Sequence, residues 1–291
     1  MKQYDVKNVK LACGETYAYL EAGHGEKTVL LVHGNMSSSA HWQPVIEALE
    51  GEYRVFAPDL RGFGDSTYNR EFNSLGELAD EIWQFCDALG IGDCYMCGWS
   101  TGGGIVMEAA LARPEQVKGL ILLDSVPPSG YPMFVKGPDF QPILTQPMTT
   151  KEQVAADPVQ VLPALNALKS GDRATMKSIW DMVIYNLRKP PDEDYEVYLD
   201  GIMKQRNLVD VDYALMVFNV VDRLPGLACP VTILHGAKDM VVPFAWIQAA
   251  LDNGQFGADT ELVTFADAGH SPLTDVPEEF IAALRSALEK E

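Results

Sequence analysis

The stretch Cys94-Tyr95-Met96-Cys97-Gly98-Trp99-Ser100-Thr101-Gly102-Gly103-Gly104 constrains this chain more than any other, because it asks for a strand, a sharp turn and a helix in immediate succession. Cys94 to Cys97 follow Gly92-Asp93 and are apolar and aromatic, as a short buried strand requires. Ser100 then stands between Gly98 and Gly102, a spacing that suits a turn in which the serine hydroxyl is lifted above a sheet and the glycines relieve crowding. Ile105 to Arg113 supply helix formers, and Pro114 closes the run. The G-x-S-x-G pattern alone is weak, since at average glycine and serine usage a chain of this size shows one by chance with a probability of roughly 0.1. Its context gives it weight.

That context is a strand-helix rhythm. Val6 to Leu11 and Thr16 to Leu20 alternate around Gly14 as a hairpin does. Thr28 to His33 is a continuous apolar run of the kind buried on both faces, and it empties into Gly34-Asn35-Met36-Ser37-Ser38-Ser39. A helix is predicted over Trp42 to Leu49, a strand over Tyr53 to Ala57, and a helix over Leu75 to Leu89 that Gly90 stops. Val117 to Asp124 is another strand. Strands alternating with helices imply an α/β fold: a mostly parallel central sheet with flanking helices.

The rhythm lapses at Ser125-Val126-Pro127-Pro128 and resumes at Cys229 to Gly236, followed by a helix from Phe244, a strand over Thr260 to Phe265 and a closing helix from Pro277 to Leu288. Between the breaks the chain reads as helical, with segments at Lys151 to Ala156, Pro158 to Ser170, Ala174 to Asn186, Asp192 to Gln205 and Val211 to Val220. The expected organisation is a core of residues 1–126 and 222–291 interrupted by a helical cap over 127–221.

Charge narrows the partners. Against 41 Asp and Glu there are 22 Lys and Arg, a formal charge of −19, which argues against nucleic acid, anionic membrane surfaces and polyphosphates. The start, Met1 to Asn8, has no apolar core of a leader, and no stretch approaches a membrane span, so a cytoplasmic protein is expected. An odd count of 5 cysteines gives no disulfide framework. Cys94 and Cys97 form a C-x-x-C inside a predicted strand, where residues three apart point to opposite faces, so they read as buried thiols. No metal-binding pattern is apparent and no cofactor is implied.

Four motifs together resemble the α/β-hydrolase superfamily over nearly the whole chain: His33-Gly34-Asn35, Asp59-Leu60-Arg61-Gly62-Phe63-Gly64-Asp65-Ser66, Gly98-Trp99-Ser100-Thr101-Gly102, and His235-Gly236-Ala237-Lys238-Asp239 followed by Gly269-His270-Ser271. The resemblance implies a catalytic triad of Ser100, Asp239 and His270, in the family's order of nucleophile, acid and histidine. A serine hydroxyl is a poor nucleophile at neutral pH, so a histidine must take its proton and a carboxylate must orient that imidazole. All three follow predicted strands and converge at the carboxyl edge of a parallel sheet. Asp124 also ends a strand and is the alternative acid. The oxyanion donors implied are the backbone N–H groups of Asn35 and Thr101, with Met36 in reserve. Asp59, Arg61 and Asp65 are structural in the family, and His33 and His235 read likewise.

A serine at the elbow excludes the aspartate-dependent dehalogenase and epoxide hydrolase branches, and implies hydrolysis of an ester, thioester or lactone. Substrate selection falls to Trp99, Met36, Tyr131 and Phe134 and to cap residues such as Trp180, Met182 and Tyr185, a pliable apolar surface suited to a small or medium hydrophobic substrate. A cofactor-free perhydrolase of the haloperoxidase kind, a carbon-carbon bond hydrolase and a ligand receptor on a hydrolase scaffold remain alternatives on these residues.

Overall fold

A computed structural model describes residues 1–290. The chain begins with β1 (Lys7–Lys10), β2 (Thr16–Ala22), β3 (Thr28–Val32), α1 (Gln43–Leu49), β4 (Arg54–Pro58), α2 (Leu75–Leu89), β5 (Cys94–Trp99), α3 (Thr101–Ala112) and β6 (Val117–Leu123). Then come β7 (Phe134–Lys136), β8 (Pro142–Pro147), α4 (Lys151–Ala155), α5 (Leu162–Ser170), α6 (Arg173–Val183), α7 (Asp192–Ile202) and α8 (Leu208–Val217). The last elements are β9 (Val231–Gly236), α9 (Phe244–Asp252), β10 (Glu261–Phe265), α10 (Pro272–Asp275) and α11 (Pro277–Leu288).

Eight strands form one sheet in the order β1-β2-β4-β3-β5-β6-β9-β10. The hairpin β1-β2 and the β2-β4 pair are antiparallel, and every pairing from β4 to β10 is parallel. The architecture is therefore α/β, as the alternation of runs predicts. Side-chain alternation explains why the inner strands carry no polar face. In β3, Leu30 and Val32 enter one core cluster while Val29 and Leu31 enter the other on the opposite face. In β5 the same period sends Cys94 and Met96 to the first cluster and Cys97 and Trp99 to the second, so the two thiols of the C-x-x-C lie on opposite sides of the sheet. Both are free.

Helix boundaries follow local chemistry where the chain is ordinary. In α2, Ser74 caps the start by accepting the Glu77 N–H, and Gly90 ends the helix in the left-handed region at φ 64°. α3 starts at Thr101 rather than at Ile105, where helix propensity first becomes favourable, so Gly102, Gly103 and Gly104 are helical against propensity. Packing overrides it: a Cβ on Gly102 would meet Val32 O at 2.2 Å, so only glycine lets α3 lie this close to β3.

The segment between β6 and β9 departs from the expectation of helices throughout. α4 to α8 occupy the predicted helical stretches, but β7 and β8 form a separate antiparallel pair ahead of them. β8 is exposed at most positions, so burial imposes no alternation on it for periodicity to reveal. The segment is fastened to the core by polar contacts. Asp210 of α8 accepts from Tyr68 Oη at 2.5 Å, from Phe72 N at 3.1 Å and from Lys151 Nζ at 2.7 Å. Among the described residues, no helix is long and apolar enough to cross a membrane.

Candidate active site

Five strand ends build the site. β3 runs into Gly34-Asn35, β5 into Ser100, β6 into Asp124 and β9 into the loop of Asp239, while the loop after β10 carries His270. Ser100 occupies φ 56°, ψ −118°, a conformation that an L-residue adopts only where its surroundings impose it. Those surroundings are its own backbone bonds. Ser100 N donates to Leu123 O at 2.9 Å, and its carbonyl accepts from Gly103 N at 2.9 Å and Val126 N at 3.3 Å. Gly34 presses against it from β3, since a Cβ there would lie 3.0 Å from the serine Cβ.

His270 Nδ1 and Asp239 Oδ2 are 2.7 Å apart, with both side chains almost fully buried. The other oxygen of Asp239 accepts from Val241 N at 2.7 Å and Val242 N at 2.9 Å, which fixes the carboxylate's orientation. Burial works to raise the pKa of Asp239, but attraction to His270 and its hydrogen bond outweigh burial and hold the carboxyl below its usual range. Gly269 N donates to Asp275 Oδ2 at 2.8 Å and Trp99 Nε1 to His270 O at 2.8 Å, so the histidine loop is held from two sides. Ser100 Oγ makes no hydrogen bond among the described residues; the histidine–aspartate contact is in place and the serine–histidine contact is not.

Asp124 lies beside this pair. Its Oδ1 accepts from Gly236 N at 2.8 Å, and its buried Oδ2 has no hydrogen-bond partner among the described residues. Burial first, and then the charge of Asp239, push its carboxyl well above the ordinary value, so Asp124 is neutral when Asp239 is ionised. Candidate ligand atoms of Asp124, Asp239 and His270 fall within 4.8 Å of one another. Of these, His270 Nδ1 and Asp239 Oδ2 share a hydrogen bond, so the carboxylate faces the imidazole.

The candidate oxyanion donors, in the loop after β3 and at the start of α3, differ in character. Met36 N donates to Asn35 Oδ1 at 2.9 Å and is thereby engaged. The backbone N–H of Thr101 opens α3 and has no intrahelical acceptor. Asn35 and Met36 are half-buried, the latter at φ 51°.

The remaining sequence candidates fall into different places. Trp99 is 2% exposed and packs edge-on to Trp42 and Trp180, so it lies under the site and its indole N–H is spent on His270. Tyr131 is half-buried against Trp246, with ring centroids 5.4 Å apart, and its hydroxyl accepts from Gln160 Nε2 at 3.3 Å. Phe134 opens β7 and is half-buried. Of the apolar surface expected from the cap, Trp180 and Tyr185 are core residues, while Met182 faces solvent.

His33 and His235 are bound in the framework: His33 Nε2 accepts from Leu60 N at 3.1 Å, and His235 Nε2 donates to Val242 O at 3.0 Å. Asp59 accepts from Ser39 N at 2.7 Å and Asp65 N at 3.0 Å, and Arg61 is wholly buried beside Glu81 at 3.3 Å. Two features have no signature in the sequence. His41 is stacked between Tyr198 and Trp180, with centroids at 4.4 Å and 5.1 Å, and burial pushes its imidazole down to about 3. Asp212 of α8 accepts from Asn35 Nδ2 at 3.0 Å. An isolated acid or histidine in a mixed segment carries no motif by which to find it.

A parallel sheet, a strained serine at the β5–α3 turn and a buried histidine–aspartate pair at neighbouring strand ends define an α/β-hydrolase type of scaffold. The model of the Alpha/beta hydrolase family matches residues 29–283, and the chain belongs to that family. It is similar to a pimeloyl-[acyl-carrier protein] methyl ester esterase of Nitrosomonas europaea, 28% identical over 268 residues, covering 89% of this chain and 94% of the relative. A protein of the same description from Vibrio vulnificus is 30% identical over 268 residues, covering 91% and 94%. Among solved structures, a thermophilic esterase from Thermogutta terrifontis shares the fold with a TM-score of 0.75 at 24% identity, covering 97% of each chain.

Proposed function

We propose that the protein is a serine hydrolase that cleaves a carboxylic ester through an acyl-enzyme on Ser100. The observation that carries this reading is the 2.7 Å His270–Asp239 contact beside a serine held at φ 56°. In the proposed reaction Ser100 Oγ bonds to the ester carbonyl carbon while its proton passes to His270 Nε2, and Asp239 stabilises the imidazolium. The N–H groups of Asn35 and Thr101 stabilise the oxyanion. Collapse breaks the acyl C–O bond, and the departing alcohol takes the proton from His270. Water, deprotonated by His270, then attacks the acyl carbon and releases the carboxylic acid and free Ser100.

Residues 127–221 serve as the cap, and Met36, Tyr131 and Phe134 line the substrate space, which suits a small or medium hydrophobic acyl group. The relatives named as methyl ester esterases support an ester with a small alcohol over a lactone. The test is a burst experiment with p-nitrophenyl esters of graded acyl length and with the matching methyl esters. A burst and sustained turnover that vanish in Ser100→Ala are expected. Turnover that persists in that variant, or a single stoichiometric burst without turnover, would overturn the reading.

A further inference from the structure

The side chain of Asn35 is bound at both ends. Its Oδ1 accepts from Met36 N at 2.9 Å and from Gln205 Nε2 at 2.8 Å, and its Nδ2 donates to Asp212 Oδ1 at 3.0 Å. Gln205 follows α7 and Asp212 lies on α8, so both partners outside the loop come from the inserted segment. Gln205 is anchored in turn: its Nε2 also donates to Asn207 Oδ1 at 2.9 Å, and Asn207 Nδ2 donates to Arg61 O at 2.5 Å. Gln205 and Asn207 are buried.

Asp212 is an unusual partner because, among the described residues, no cation pairs with it. Its surroundings displace water and push its carboxyl up to about 7; the charge of Asp157 adds to this, and only the Asn35 amide opposes it. A half-buried acid kept without a counter-charge is costly, and the bond it makes is to the residue that carries a proposed oxyanion donor.

We propose that Asp212 and Gln205 are positioning residues, a clasp by which the cap fixes the Asn35 amide and, through the Asn35-to-Met36 turn, aims the Asn35 backbone N–H at the oxyanion. This rests on the hydrolase reading above. An amide gripped at both ends cannot rotate, and its Oδ1 keeps the Met36 N–H in place. Without the clasp the side chain is free to turn, the Met36 N–H loses its acceptor, and the loop no longer holds one orientation. Stabilisation of this kind depends on donors that are fixed before charge develops.

The test measures two rates in wild type, Asp212→Ala, Asp212→Asn and Gln205→Ala. One is the second-order reaction of Ser100 with a fluorophosphonate, in which Ser100 Oγ displaces fluoride and the phosphoryl oxygen needs the same donors as an ester. The other is kcat and KM for p-nitrophenyl butyrate. Misaiming a donor should cost less than deleting one, so Asp212→Ala and Gln205→Ala are expected to slow phosphonylation and kcat by about tenfold, with KM within about twofold. Asp212→Asn, whose amide oxygen still accepts from Asn35 Nδ2, is expected to recover most of the loss. Gln205→Ala carries the test if Asp212→Ala does not fold. If wild type reacts at Ser100 and the alanine variants react equally fast, or if Asp212→Asn is no better than Asp212→Ala, the clasp is wrong while the hydrolase reading stands. If wild type does not react at Ser100 at all, the hydrolase reading falls and takes the clasp with it.

Discussion

Asp124 and Asp239, which follow the adjacent parallel strands β6 and β9, lie side by side, and burial first and then the charge of Asp239 push the Asp124 carboxyl well above its ordinary value. Two carboxylates this close, away from water, do not both ionise. The one that keeps its charge is the one bonded to His270.

Their substitution should therefore have unequal effects. Asp239→Asn puts an amide where His270 Nδ1 needs an acceptor of fixed charge, and kcat is expected to fall by about three to four orders of magnitude. Asp124→Asn retains an oxygen for the Gly236 N–H and an uncharged group beside Asp239, so kcat should change less than about tenfold. Steady-state kinetics on both variants checks this; the opposite ranking would assign the acid to Asp124.

Ser100 should be costly to stability as well as necessary for activity. Residues forced into sparsely populated backbone regions carry about 1–3 kcal/mol of strain, which glycine relieves. Ser100→Gly is expected to unfold at higher urea concentration than Ser100→Ala, by about 1 kcal/mol, with both variants inactive. Equal midpoints would show that the turn is unstrained at φ 56°.

The raised acid at Asp212 makes a prediction about pH. In the unfolded chain an aspartate ionises near pH 4, whereas in the folded chain Asp212 stays protonated up to about 7. A raised carboxyl contributes stability below the unfolded value and loses it as pH rises towards the folded one. Relative to wild type, Asp212→Asn should thus gain stability steadily from about pH 4 and level off above about pH 7. Urea unfolding at several pH values reads the difference directly, and a difference independent of pH would place the Asp212 carboxyl at its ordinary value.

Thiol chemistry separates buried cysteines from a redox pair. Cys86, Cys94 and Cys97 are buried, and Cys13 and Cys229 are half-buried. Burial also pushes the Cys97 thiol up, away from the reactive thiolate. Titration of the native protein with an aromatic disulfide reagent should modify at most Cys13 and Cys229, and denaturation should expose all five. Rapid loss of Cys94 and Cys97 together in the native state would contradict the opposite-face placement.

The inner strands were legible because each is buried on both faces and its apolar run has no competing explanation; Leu75–Leu89 was legible because its apolar residues recur at helical spacing and Gly90 stops it. The start of α3 was not: three glycines suit close packing of helix on strand but have poor helix propensity, and only the closeness of β3 shows that they are themselves helical. The β7-β8 hairpin escaped because exposed strands need no pattern. At the site, Ser100, Asp239 and His270 could be named from their motifs, and Asp239 and His270 are in contact, but Asp212, Gln205 and His41 are placed by contacts between distant segments that no local spacing encodes.

The bond from Trp99 Nε1 to His270 O gives the site a shared mechanical part. Trp99 is covalently joined to Ser100 and its indole N–H donates to the main chain of His270, so one side chain ties the β5–α3 turn to the histidine loop. A displacement of the end of β5 would therefore pull on the main chain of His270 through this bond.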